Sequence, residues 1–228
     1  MPVHDFVDEG LGHSSYLVEL DDGTAAVVDP PRFPTGHEEL AARLGVRVAW
    51  TLDTHSHADY VTGSPALAAR SSATFVAPAA SELVTPHRPV SDRDVVALAG
   101  TLTLQAVATP GHTPDHHAFV LYRDGRPEAL FSGGSLMVGT VGRTDLCGPE
   151  QTEPLAHQMF HSLRRFDSLS DELAVYPTHG AGSFCSAPGS AERATTLGRE
   201  RITNPLFTLG DEEQFVERLI AGFGTFPS

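Results

Sequence analysis

The chain has 228 residues, a formal net charge of −14, fifteen basic residues that are all Arg, and two cysteines. The acid excess excludes a nucleic-acid backbone as partner, since no basic field exists to displace its counterions; two cysteines outside any C-x-x-C spacing exclude a disulfide framework. The length suits one domain over residues 1–228, and the start Met1-Pro2-Val3-His4-Asp5-Phe6 has neither a basic nor an apolar leader region. No run approaches the roughly 18 apolar residues of a membrane span, so a soluble, cytoplasmic protein is expected.

Ser15 to Leu20 and Thr24 to Asp29 predict a β-hairpin around Asp22-Gly23, stopped by Pro30-Pro31. Leu40, Ala41 and Leu44 have helical spacing, with Gly45 as a stop. A strand over Val46–Leu52 follows. Ser64-Pro65 reads as an N-cap and first-turn proline for a helix over Ala66–Arg70, and Ala73–Pro78 as a short strand. Two β-like runs fill 94–109, split near Gly100; His117–Tyr122 and Ala129–Ser132 are further strands. Leu155, Met159, Leu163 and Phe166 form one stripe of a helix over Gln151–Leu169. Leu173–Tyr176 is a strand, and helices are expected over Ser190–Arg201 and Asp211–Ala221. Strands come first, then mixed strands and helices, which suits two sheets packed face to face with helices outside and polar ligands at one rim.

The chemistry concentrates in Thr54-His55-Ser56-His57-Ala58-Asp59-Tyr60. In an extended chain His55, His57 and Asp59 share one face, and imidazole and carboxylate are the usual donors to zinc or iron. His112 follows in Thr109-Pro110-Gly111-His112-Thr113-Pro114, then Ser132-Gly133-Gly134-Ser135, then His179 in Pro177-Thr178-His179-Gly180. Together with Val141-Gly142-Arg143-Thr144-Asp145-Leu146 and the H-G-A-G-S-x-C run ending at Cys185, these motifs resemble the metallo-β-lactamase superfamily. More narrowly, they look like its persulfide dioxygenase-like branch, including the lactamase-fold half of lactamase–rhodanese fusions.

The resemblance implies an αββα four-layer sandwich with the metal at the edge between the sheets. His55, His57 and His112 match the first metal site of the superfamily; Asp59, the residue after it, a later aspartate and His179 match the second. In the iron dioxygenases the first His, the T-P-G-H His and the later Asp hold the ion. Here that Asp falls at Gly134, and Tyr60 replaces another usual donor, so one Fe(II) or Zn(II) per chain is expected. Without the carboxylate, three neutral imidazoles suit zinc; alternatively Asp59 swings in to restore one. Restoring it directly, as Gly134→Asp, is expected to raise Fe(II) affinity or the dioxygenase rate.

Each residue has a plainer reading. His179 is a ligand or only a partner of Asp59; Tyr60 is packing or a hydroxyl donor to the reacting centre. His116 and His117 line the pocket or lie on the surface, and Cys185 is a pocket thiol or inert. Arg143 forks a substrate carboxylate or pairs with Asp145 to brace the loop. His4, His13, His37, His87, His157 and His161 read as surface or core residues.

The implied function is a mononuclear metalloenzyme of small-thiol sulfur metabolism, oxidising glutathione persulfide with O₂ to sulfite and thiol. One alternative is a zinc hydrolase of a thioester, glyoxalase II-like, with Asp59 orienting the nucleophile. The other is a binding module with a degraded metal site. The partners are a small thiol or persulfide, with a rhodanese acting in trans and a homodimer both left open.

Overall fold

The computed structural model describes residues 1–180, 183 and 192–223. Strand β1 (Val3–Asp8) runs antiparallel to β2 (His13–Glu19), which turns into β3 (Thr24–Val28). Gly23, at φ 75°, makes that turn, and the Asp22 carboxylate accepts from the Thr24 N–H at 3.1 Å. Helix α1 (Thr35–Leu44) ends on left-handed Gly45. Then come β4 (Arg47–Leu52), α2 (Ser64–Ser71), β5 (Thr74–Pro78) and β6 (Arg88–Val90). The second half holds β7 (Val95–Ala99), β8 (Leu102–Ala108), β9 (His117–Arg123), β10 (Arg126–Gly133), α3 (Pro149–Arg164), β11 (Ala174–Pro177), β12 (Thr195–Thr196), α4 (Leu197–Thr203) and α5 (Glu212–Ala221).

Among the described residues there are two six-stranded sheets, ordered β1-β2-β3-β4-β5-β6 and β12-β11-β10-β9-β8-β7. Period-two alternation sends side chains to opposite faces and builds three apolar layers. Tyr16, Val18, Ala26 and Val28 meet Leu104, Phe119, Leu121 and Phe131 between the sheets. Leu17, Ala25 and Val27 point outward onto Ala41 of α1 and Leu67 of α2. Val120, Leu130 and Val175 point the other way, onto Met159, Leu163 and Phe215 of the second helical layer. This is the αββα sandwich that the resemblance implies. At one end the sheets are joined by backbone: Ser14 N–H donates to Thr178 O at 2.7 Å, Gly180 N–H to Gly12 O at 2.9 Å, and the Tyr16 hydroxyl to Pro177 O at 2.6 Å.

The structure departs from the sequence expectations at several ends. α3 stops at Arg164 rather than Leu169; the Arg201 guanidinium donates to the carbonyls of Phe166 and Leu169, at 2.7 and 3.0 Å, and so fixes a turn there. The helix expected over Ser190–Arg201 starts at Leu197, where the Thr196 hydroxyl accepts from the Arg199 N–H; Thr195 and Thr196 pair with β11 instead. Ser64 does not cap α2: its hydroxyl donates to Asp53 at 2.6 Å. No helix among the described residues is long and apolar enough to cross a membrane.

Candidate metal centre

The joined end of the sandwich gathers four segments: Asp29 after β3, residues 53–63 after β4, the turn between β8 and β9, and His179 after β11. Asp29 is fully buried at positive φ (49°). Its Oδ1 accepts from the Thr54 N–H at 2.7 Å and lies 3.3 Å from His57 Nε2; its Oδ2 accepts from the hydroxyls of Thr54, at 2.8 Å, and Thr178. One carboxylate therefore anchors the residues before His55 and His179, and His57 directly. Burial alone would raise the Asp29 pKa, but His57, Thr178 and Thr54 outweigh it and hold it at about 2.

This network dictates which nitrogen of each ring is bare. The Thr54 hydroxyl gives its proton to Asp29, so at 2.8 Å it accepts from His55 Nδ1, leaving a lone pair on His55 Nε2. His57 donates through Nε2 to Asp29, leaving Nδ1. His112 donates from Nδ1 to Arg143 O at 2.9 Å, leaving Nε2. Fixing one nitrogen to aim the other is how proteins present imidazole to a metal.

A cation fits these residues. His55, His57 and His179 bring one donor atom each within 4.8 Å of one another. The His112 ring centroid lies 5.0 Å from that of His55 and 5.1 Å from that of His179. His57 Nδ1 is buried without a hydrogen-bond partner, which is costly unless something else occupies it. Burial holds His55 and His112 well below the usual imidazole range, His112 at about 3, so both keep the neutral form that ligates. For His57 burial pulls the same way, but Asp29 wins and its pKa is raised. Burial opposes ionisation of Asp59, yet His179, whose Nδ1 is 3.4 Å from Asp59 Oδ2, and His57 keep it below the ordinary carboxyl range.

The structure places His116 where neither of its readings put it, and gives Tyr60 and Arg143 the plainer of theirs, against a catalytic and a substrate-binding role. His116 is neither on the surface nor available to substrate: it is fully buried, donates from Nδ1 to Thr109 at 2.8 Å and accepts the Gly134 N–H on Nε2 at 2.9 Å. The Tyr60 hydroxyl donates to the Asp29 carbonyl at 3.2 Å, and its ring lies tilted against those of His13 and His57, with centroids 4.2 and 4.4 Å away, so it packs the cluster. Arg143 forks Asp145, at 2.6 and 2.7 Å, rather than facing a ligand. Arg143→Ala would strand a largely buried carboxylate; a loss of about 3 kcal/mol is expected in chemical denaturation. An unchanged stability with a raised KM would restore the substrate-clamp reading. Cys185 lies outside the described residues.

Gly134 holds a further surprise. A Cβ there would lie 2.3 Å from His112 Cδ2, and one on Gly142 would lie 2.7 Å from His112 Nδ1. The imidazole sits in the cradle of these two glycines, over the point from which a side chain at 134 would emerge. The structure therefore overturns the expectation that Gly134→Asp simply restores a ligand.

Sequence reasoning missed Asp29, His13 and Asp115. His13 is buried at the rim with its Nε2 unpartnered, and bridges to His179 through the backbone. Asp115 accepts from Ser56 N–H and the hydroxyls of Ser56 and Ser81, pinning the histidine loop from outside. An aspartate placed between a strand and Pro30-Pro31 was the available signal for Asp29; His13 and Asp115 gave none.

Comparison with known proteins agrees with this architecture. Hydroxyacylglutathione hydrolase of Chromohalobacter salexigens is 30% identical over 233 residues, covering 92% of this chain and 86% of that protein. The human mitochondrial persulfide dioxygenase ETHE1 is 29% identical over 207 residues, covering 87% of this chain and 73% of the other. A solved metallo-beta-lactamase structure from Staphylococcus aureus subsp. aureus COL superposes with a TM-score of 0.91 at 31% identity, over 99% of this chain and 68% of that one. Matched across residues 8–179 and folded in the same four layers, the chain belongs to the metallo-β-lactamase superfamily.

Proposed function

We propose that this chain is a metal-dependent enzyme acting on a small thiol derivative, persulfide dioxygenase-like, with one Fe(II) or Zn(II) held among His55, His57, His112 and His179. The observation that carries the reading is the set of bare ring nitrogens fixed by Asp29, Thr54 and the Arg143 carbonyl. When bound, the ion supplies either oxygen and thiolate chemistry, as iron, or Lewis acidity toward a thioester, as zinc. The chain supplies the rest. Asp59, held ionised beside His179 and His57, is the group placed to orient or accept a proton. A cleft of about 260 Å³ lined by His55, Ser56, His57, Tyr60, Ser81 and Leu83 gives a small substrate its approach.

The second reading, a zinc hydrolase of a glutathione thioester, is supported by Gly134, which leaves the cluster without the carboxylate at that position. Its relatives include hydroxyacylglutathione hydrolases at comparable identity. Metal content of protein purified without added metal, O₂ uptake on glutathione persulfide and thioester hydrolysis separate the readings. Iron with persulfide-dependent uptake is the expected result. Zinc with thioester turnover would move the assignment to hydrolysis, and no metal with no turnover would leave a binding module.

A further inference from the structure

His55 Nε2 lies 3.3 Å from His179 Nε2. This contact is not an ordinary hydrogen bond between rings. His55 Nδ1 already donates to Thr54, so its Nε2 bears a lone pair. His179 Nδ1 faces the Asp59 carboxylate at 3.4 Å, and the proton belongs on that side; a bare Nδ1 would point its lone pair at an anion. His179 Nε2 is then bare too. Two lone pairs directed at each other repel unless a cation lies between them. With metal–nitrogen bonds of about 2.0–2.1 Å, adjacent donors of a tetrahedral site stand roughly 3.3 Å apart, which is the separation observed.

We infer that His179 has joined the site of His55, His57 and His112, so that one ion in this chain is held by four imidazoles and no carboxylate. Three further observations support this. The ring centroids of His179 lie 5.4, 6.1 and 5.1 Å from those of His55, His57 and His112, so it flanks all three. Gly134 offers no donor, and the His112 ring fills the space a side chain there would need. Thr178, tied to the same carboxylate as Thr54, fixes the backbone that presents His179. Asp59 then stands behind His179 as its proton acceptor. Four neutral donors leave the charge of the ion uncompensated, so an anionic sulfur that joins as a fifth ligand is favoured over a neutral ester.

This rests on the metal-enzyme reading, and the test keeps the two apart. Zinc-loaded full-length protein is measured by X-ray absorption at the zinc edge, without any substitution that could disturb folding. Four nitrogen donors with imidazole outer-shell scattering are expected. Zinc bound through three or fewer imidazoles plus oxygen overturns the four-imidazole site and leaves the metal enzyme standing. Failure to bind zinc overturns both. As a second measurement, His179→Ala is expected to weaken zinc by at least about tenfold in chelator competition and to change the visible spectrum of the cobalt-loaded protein. An unchanged affinity and spectrum in a variant that melts like the parent would return His179 to a bystander.

Discussion

Gly134→Asp is expected to lose metal rather than gain it. The carboxylate it introduces belongs, by resemblance, to the iron-binding set, yet its Cβ would start 2.3 Å from His112 Cδ2. The ring has to leave its cradle for the side chain to enter, and His112 is held there by the Arg143 carbonyl at 2.9 Å. Overpacking of this kind costs about 1–3 kcal/mol, and a displaced ligand weakens metal binding further. A lower melting temperature and at least about tenfold weaker zinc in chelator competition are therefore expected. Gly134→Ala separates the terms, since it introduces the same Cβ without the charge. Tighter iron binding at unchanged stability would mean that the His112 ring swings aside freely, and that the missing carboxylate is the site's only defect.

Asp29→Asn should be as damaging although it changes the side-chain volume hardly at all. An amide nitrogen in place of Oδ2 faces two hydroxyl donors, Thr54 and Thr178, and both must reverse. Once the Thr54 hydroxyl accepts from Asn, its own proton turns to His55 Nδ1, and the His55 proton moves to Nε2, the atom that should be bare. A substitution that touches no ligand except His57 thus blocks another. Metal affinity is expected to fall about 10- to 100-fold, with the His55 tautomer change visible in nitrogen NMR of the metal-free protein. Retained affinity with an unshifted His55 signal would show that the relay through Thr54 does not set the tautomer. Because the Asp29 pKa is lowered from 3.8 to about 2, its contribution to stability is complete above pH 3.8 and is lost as the pH falls through 2.

Much of the sandwich is legible in the chain because short, largely apolar runs such as Ser15–Leu20 and His117–Tyr122 report strands buried on both faces, and the spaced stripe of Leu155, Met159 and Leu163 reports one buried helix face. Strands β1, β6 and β12 escaped because they are short or lie at sheet edges, where partners rather than residue type decide the state. The α3 stripe overran its helix because Phe166 stays in the core after the helix ends. At the site, the histidine loop announces itself by composition and the pair of Arg143 with Asp145 is readable two residues apart, whereas the role of His116 depends on a partner 18 residues away that no spacing rule links to it. Gly134 is readable as a gap, but nothing in the sequence says that the His112 ring fills it.

The backbone joints between the sheets also set an order of assembly. Thr178 reaches Asp29 across 149 residues, and Ser14 holds the segment carrying His179 from the opposite sheet. Contacts that distant form late, since long loops must close before they are rewarded. The candidate ligand cluster therefore cannot exist on a half-folded chain, and a metal would reach a finished sandwich instead of nucleating it. Chelation should accordingly empty the centre while leaving both sheets standing, and refolding should proceed at the same rate with or without metal in the buffer.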